Sequence, residues 1–327
     1  MIKKRYHFLI VFAILLIGII VGSFLDYEIN SAIYDRTNTF GLAVSSLGMY
    51  PGYGFLAFLG GITLNMGIFK KQWKGWQRAL MFALSLAFYA CSTYGIGDDI
   101  FSFNGFYDET LVKYGVGYMV AAVMIIPLFI WGYFVAKKIE NPKMWIIIII
   151  IALAIFLAIV PGVSVVKSIM RRPRYRIVVY EHLIDDAYHN WWEPFFKGYQ
   201  ELKPRFDTDP LFIEKHVTSG EFKSFPSGHA AGAMITIMFC SFIPIVDKRL
   251  MKYQTLFFYL GFVWCLVVMF ARMLVGAHYL TDTCFGALFV LIFFYIANEI
   301  ILRKHLLDEK PEEAFVEEQQ QETIEEQ

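Results

Sequence analysis

The sequence predicts an all-α fold, a polytopic membrane bundle of about eight transmembrane helices. Three observations lead there. Hydrophobic residues make up 57% of the 327-residue chain and its mean hydropathy is +0.51, which is more apolar than ordinary globular domains. The apolar residues fall in unbroken blocks rather than in the periodic stripes of soluble helices. Short basic segments recur between alternate blocks, the pattern left by the positive-inside bias.

Crossing the hydrocarbon core takes roughly 20 mostly apolar residues. Eight stretches qualify, at about 7–24, 50–69, 78–97, 115–136, 144–163, 228–246, 254–273 and 281–302. The first follows Lys3, Lys4 and Arg5 in the manner of a secretory signal. It is long for a signal core and lacks a small-x-small cleavage site, so it reads as a retained anchor. The N-terminal KKR and the segments 70–78, 137–143, 247–252 and 303–305 are short and basic. The alternate connections are acidic or mixed, with Asp26, Glu28 and Asp35 in the first and Asp98, Asp99, Asp108 and Glu109 in the second. One topology accommodates all of them: eight crossings of the cell membrane with both termini cytoplasmic.

Two parts lie outside the spans. The tail 303–327 is acidic, Gln-rich and poor in apolar residues, which predicts disorder. The loop 164–227 falls on the outer side. It is long for a connection, and long loops tend to be functional. Its aromatic residues Trp191, Trp192, Phe195, Phe196 and Tyr199 predict a segment resting at headgroup level. The zero net charge argues against a nucleic-acid partner. Cys91, Cys240, Cys265 and Cys284 all lie in apolar runs, so neither a disulfide framework nor a zinc site is indicated.

Three polar clusters stand at the outer ends of spans. After the fifth span comes V-K-S-I-M-R-R-P-R-Y-R, with Lys167, Arg171, Arg172, Arg174 and Arg176. Cations at an outer boundary run against the usual bias, and two readings of them stay open: neutralising anionic headgroups, or binding a phosphate through arginine N–H groups. The sixth span opens with S-F-P-S-G-H-A-A-G, in which Pro226 and Ser227 suit a helix start and His229 has no purely structural use. The seventh ends in A-R-M-L-V-G-A-H-Y-L-T-D, containing Arg272, His278 and Asp282. His278 and Asp282 are four apart, which on a helix puts them on one face within hydrogen-bonding reach. A carboxylate bonded to one imidazole nitrogen leaves the other as nucleophile or base. The topology, drawn from other loops, places all three clusters on one side. Two histidines, an aspartate and several cations suit phosphoryl transfer, with backbone N–H groups at the start of the sixth helix adding anion binding.

K-x6-R (Lys167 to Arg174), P-S-G-H (Pro226 to His229) and R-x5-H-x3-D (Arg272, His278, Asp282) resemble, in order and placement, the type 2 phosphatidic acid phosphatase (PAP2) superfamily, in its membrane-bound lipid phosphatase branch. The resemblance implies a catalytic core over 144–302 that includes the outer loop, preceded by N-terminal helices over 1–143. Many bacterial members have six spans, so an additional hairpin is expected within 78–136. It also implies His278 as nucleophile, Asp282 as its orienting carboxylate, and His229 as general acid and then base. Lys167, Arg174, Ser227, Gly228 and Arg272 would hold the phosphate, with no metal or other cofactor. The chain departs from the family pattern at Tyr175, where the first motif usually has proline after its arginine, and at Ala271, where the third usually has serine. The Arg-Pro pair falls instead at Arg172–Pro173, which leaves Arg172 as the rival anchor to Arg174.

The expected function is therefore hydrolysis of a lipid phosphate or diphosphate at the extracytoplasmic face. Phosphatidic acid, phosphatidylglycerol phosphate and isoprenyl diphosphates are the candidate substrates, and membrane lipids the only other expected partners. A phosphotransferase using the same phosphohistidine, and a non-catalytic lipid-binding or transport protein, are the alternatives.

Overall fold

The computed structural model describes residues 5–70, 73–100, 115–137, 142–179, 188–215, 217–246 and 248–303. Twelve α-helices follow in chain order among them: α1 (Tyr6–Ile33), α2 (Thr39–Leu47), α3 (Tyr50–Phe69), α4 (Gly75–Ile100), α5 (Val116–Ala136), α6 (Pro142–Met170), α7 (Tyr175–Val178), α8 (Phe196–Leu202), α9 (Pro210–Glu214), α10 (Gly228–Val246), α11 (Gln254–Leu274) and α12 (Leu280–Arg303). Short 3₁₀ turns lie at Lys203–Arg205, Ser219–Phe222 and Lys248–Tyr253. Among the described residues there is no strand. The chain is an all-helical multi-pass bundle.

Seven helical segments are long and apolar enough to cross a membrane. The 29-residue α6, whose sequence is apolar from Trp145 to Val163, occupies the place of the fifth expected span and brings the total to eight. Their outer faces carry large apolar side chains open to the surroundings: Leu9, Phe24, Leu86 and Val123 are 65–79% exposed. Such a surface needs hydrocarbon rather than water around it.

The bundle is organised around α10, which packs against α3, α11 and α12, while α1 lies along α12. Phenylalanines stitch α3 to α10, with Phe55 on Phe242 and Phe58 on Phe239 at ring-centroid distances of 5.4 and 5.6 Å. Helices α4 and α5 pack on each other and on α3. The α3–α5 crossing is close because Gly132 lies over the Phe58 carbonyl, where a Cβ would sit 1.9 Å from the oxygen. Small residues allow such backbone approach between membrane helices.

Several boundaries differ from those expected. The first span continues to Ile33, which takes Asp26 and Glu28 out of the anticipated loop and onto α1. Asp26 is 1% exposed, its charge met by a buried arginine. The fifth span continues to Met170, so Lys167 stands in the last turn of α6 and the outer segment begins at residue 171. That segment is not simply spread at headgroup level. It has a core of its own, in which Ile177, Tyr199, Phe212, Val217 and Phe222 are buried together with Phe195 packed against them. Trp191 packs on Phe225 and Phe285 and donates to Ser23 Oγ at 2.9 Å. Of the five aromatics assigned to the headgroups, Trp192 and Phe196 are exposed. The expected disordered tail lies outside the described residues from 304 onward, as do Lys3, Lys4, Asp108 and Glu109.

The turn that delivers His278 is built by Gly276. At the end of α11 the Ala277 N–H donates to the Arg272 carbonyl and the Gly276 N–H to that of Met273, with Gly276 at φ +65. These two bonds and the left-handed glycine constitute a Schellman cap. A Cβ at Gly276 would lie 2.6 Å from the Tyr34 ring and 3.0 Å from Arg176 Cβ. The left-handed conformation alone costs an L-residue about 1–2 kcal/mol. Gly276→Ala is expected to lower the thermal unfolding temperature in detergent by several degrees, readable by intrinsic fluorescence.

Candidate active site

The site forms at one end of the bundle, where the C-termini of α6 and α11 meet the N-termini of α10 and α12. The opposite end carries the ion pair of Arg5 with Glu299, at 2.7 Å, near the two ends of the described chain.

Each cluster arrives by a local rule. Helix α10 begins at Gly228, and Ser227 caps it: its hydroxyl accepts the Ala230 N–H at 3.3 Å and its carbonyl that of Ala231 at 3.2 Å. Pro226 lies just outside the helix, and the Ser227 N–H donates to the Asp282 carbonyl, which docks this helix start on α12. His229 is then the second helical residue, half-buried, with its ring 6.4 Å from that of His278. A Cβ on Gly228 would stand 3.8 Å from Lys167 Nζ. Lys167 lies near both Arg174 and Arg272, and the charges of all three act on His278. The expected residues therefore meet in one place: Lys167, Arg174, Gly228, His229, Arg272, His278 and Asp282, with Ser227 beneath.

Arg172 and Arg174 have different surroundings in the structure. The chain is extended here. The Ser224 N–H donates to the Arg172 carbonyl and the Arg174 N–H to the Glu221 carbonyl. Arg172 turns into the bundle, where it is 1% exposed. There its Nη1 donates to Asp282 at 2.6 Å and to Thr281 Oγ1 at 2.9 Å. Its Nη2 donates to Asp26 at 3.0 Å and its Nε to the His189 carbonyl at 2.7 Å. The guanidinium lies 4.0 Å from the centre of the Tyr279 ring. The adjacent carboxylates of Asp282 and Asp26 outweigh the effect of burial and hold Arg172 above its ordinary pKa. Arg174 is the one left beside Lys167 and Arg272.

The expected His278–Asp282 bond is corrected. His278 precedes the helix, because Tyr279 is the N-cap of α12 and Asp282 its third residue. Asp282 Oδ2 reaches back to the Tyr279 N–H at 2.9 Å and also accepts from the Ser224 hydroxyl. This is the carboxylate half of a capping box. His278 Nδ1 stands 3.8 Å from Asp282 and bonds the Ser224 carbonyl instead, at 2.7 Å. A carbonyl only accepts, so Nδ1 carries the proton and Nε2 keeps its lone pair. Among the described residues Nε2 has no hydrogen-bond partner. Burial, followed by the positive charges of Lys167, Arg272 and Arg174, holds His278 well below the ordinary histidine pKa. The imidazole is neutral at pH 7.

Sequence reasoning missed the second layer: Asp26, Asn30, Ser224 and Glu221. Asn30, fully buried on α1, donates through Nδ2 to the His278 carbonyl at 3.0 Å. Glu221 receives both arms of Arg176, which joins the residues after α6 to those before α10. Burial opposes its ionisation, and Arg176 more than offsets that, leaving Glu221 below the usual carboxylate range. Ala271 is fully buried at the end of α11. Among the described residues, no three His, Cys, Asp or Glu side chains are grouped to hold a metal ion. The positive charge facing His278 is that of Lys167, Arg174 and Arg272.

The two arginines should fail differently. Arg172→Met leaves two buried carboxylates uncompensated and is expected to cost about 3–5 kcal/mol of stability. Arg174→Gln should leave the unfolding temperature within about 2 °C of wild type, roughly the effect of a change below 0.5 kcal/mol. Thermal unfolding of both variants in detergent checks this.

No curated protein and no solved structure matches the chain. The family description "PAP2 superfamily" matches residues 143–305, a stretch that contains all three motifs and the residues gathered here except those of α1. Through that stretch, the chain belongs to the PAP2 superfamily.

Proposed function

We propose that this protein is a metal-independent phosphatase that hydrolyses a lipid phosphate or diphosphate through a phosphohistidine, at the extracytoplasmic face of the cell membrane. The observation that carries the proposal is the state of His278. Its Nδ1 proton is fixed on the Ser224 carbonyl, and the lone pair of its buried, unpartnered Nε2 is available beside His229 and three cations.

In the first step His278 Nε2 forms a bond to phosphorus while the bond from phosphorus to the lipid oxygen breaks. The leaving oxygen takes a proton from His229. Lys167, Arg174 and Arg272 bind the equatorial oxygens, joined by the Ser227 hydroxyl and the Gly228 N–H at the helix start. In the second step His229 removes a proton from water. The water oxygen bonds to phosphorus, the P–N bond breaks, and inorganic phosphate leaves. Asp282 acts through the capping box and Ser224, which keeps the Nδ1 acceptor in place.

Two features support a lipid substrate. The bundle has lipid-facing helices, and a groove of about 620 Å³ lined by Ser164, Val165, Ser168, Ile169, Pro194 and Phe196 runs along the same turns of α6 that carry Lys167. The groove offers an apolar chain a seat on the outer turns of α6. An outward orientation is supported by the basic segments at the termini and alternate loops, together with a site at the end of the bundle opposite Arg5 and Glu299. Of the three candidate substrates, an outward site best suits an isoprenyl diphosphate.

Purified protein in detergent with EDTA should release phosphate from one or more lipid phosphates or diphosphates, and His278→Ala should lower kcat by at least about 10³-fold. Release that survives His278→Ala would remove the proposed nucleophile. Phosphate transfer to an added alcohol in place of release would make the protein a phosphotransferase. His278 must be neutral to attack, so the acid limb of kcat/KM that it controls should lie below the ordinary histidine range of about 6.5. A pH–rate profile from pH 4 to 9 measures it.

A further inference from the structure

The first helix lies outside the stretch matched by the family, yet it reaches the back of the site. Asp26 accepts from Arg172 Nη2 at 3.0 Å, from the Thr281 N–H at 3.0 Å and from the Thr281 hydroxyl. Three donors converge on it, which is the environment of an ionised carboxylate. One turn further along α1, Asn30 holds the His278 carbonyl. A single helix thus grips both the arginine behind Asp282 and the peptide of His278.

The charge count is the informative feature. Asp282 alone would neutralise Arg172. With Asp26 added in its carboxylate form, the buried triad Asp26–Arg172–Asp282 would sum to one negative charge, all three side chains being at most 1% exposed. Taking a second carboxylate out of water costs several kcal/mol, and buried ion pairs are often replaceable by apolar residues without loss of stability. Stability therefore gives little reason for the extra charge. The face turned to the substrate is otherwise strongly positive. His278 looks onto Lys167 from α6, Arg174 beyond it, Arg272 from α11 and His229 from α10, while Asp282 from α12 stands behind it. When Nε2 bonds to phosphorus, its imidazole ring becomes cationic among those cations.

We propose that Asp26 is a positioning residue of the reaction: it gives the layer behind His278 a net negative charge that stabilises the cationic ring of the phosphohistidine, and it holds Arg172 and Thr281 where Asp282 needs them. This rests on the phosphohistidine reading above. The consequence is that α1 is part of the catalytic apparatus, and that residues 143–305 by themselves lack one of its charges.

The test compares wild type with Asp26→Asn, which keeps the shape and removes the charge, and with Asp26→Glu, which restores it. In full-length protein in detergent, Asp26→Asn is expected to lower kcat about tenfold, which corresponds to about 1.4 kcal/mol of lost transition-state stabilisation. KM should change less than about threefold, because the substrate does not touch Asp26. The acid limb should move to lower pH, since His278 loses a neighbouring negative charge, and Asp26→Glu should recover at least part of kcat. Unchanged kcat in Asp26→Asn overturns the proposal. So does a loss explained entirely by a smaller folded fraction, with the acid limb where it was.

A second readout does not depend on turnover. Nitrogen-15 NMR of histidine-labelled protein, with His278 assigned by His278→Gln, should show a lower pKa for His278 in Asp26→Asn than in wild type. An unchanged value overturns the proposal even if Asp26→Asn fails to turn over. If wild type itself releases no phosphate from any lipid while the NMR shift is present, the phosphatase reading fails and the electrostatic coupling of Asp26 to His278 stands.

Discussion

Arg172 sits where three parts of the chain come together, and the site's geometry depends on it. Its two nitrogens join a carboxylate on the first helix to one on the last, and its Nε ties in the outer segment at His189. Its own carbonyl accepts from Ser224, the residue whose carbonyl fixes His278. A guanidinium is suited to this because its donors are rigidly coplanar and it remains charged when buried, whereas a lysine could offer neither the fork nor the same tolerance of burial. One cation therefore organises the layer behind the site, and the neighbouring Arg174 is left for the front. Two arginines two residues apart do different work because their surroundings differ, not their chemistry.

The residues proposed to face the substrate were legible in the sequence and those behind them were not. His229, Lys167 and Arg272 could be placed at one level because span ends are readable from hydropathy, and polar groups there stand out against apolar surroundings. The spans 50–69 and 228–246 coincide with α3 and α10. Asp26 was misplaced because a carboxylate after an apolar run looks like the start of a loop, and its partner is 146 residues away. The His278–Asp282 spacing suggested a direct pair, but Tyr279 ends the turn and Asp282 bonds its N–H. The signal for that was present, since an acidic residue three positions after a helix start is half of a capping box. Nothing in the sequence could have marked Ser224, which acts on His278 through its backbone carbonyl.

The outer segment shows a related limit. Tyr199 and Phe195 were read by composition as part of a membrane-surface belt, whereas they pack with Phe212 and Phe222 in a small core. Rings that pack on one another and rings that lie among headgroups have the same composition. Partners distant in sequence decide between the two. This core, with the paired Arg176 and Glu221, keeps the residues on either side of the outer segment in register, so Arg174 and Ser224 reach the site from opposite ends of a long connection without relying on its length.

The separation of Asp26 from Arg172 also bears on how the protein is made. Synthesis proceeds at about 5–20 residues per second, so a stretch of 146 residues corresponds to roughly 7–30 s during which α1 exists without its counter-charge. Asp282, on the last helix, arrives later still. Throughout that interval the end of α1 bearing Asp26 needs water, headgroups or the insertion machinery to solvate its carboxylate, and only the far end can settle fully into lipid. Helix α1 is thus completed long after it is made, and the layer around Arg172 closes only when α12 has been inserted beside it.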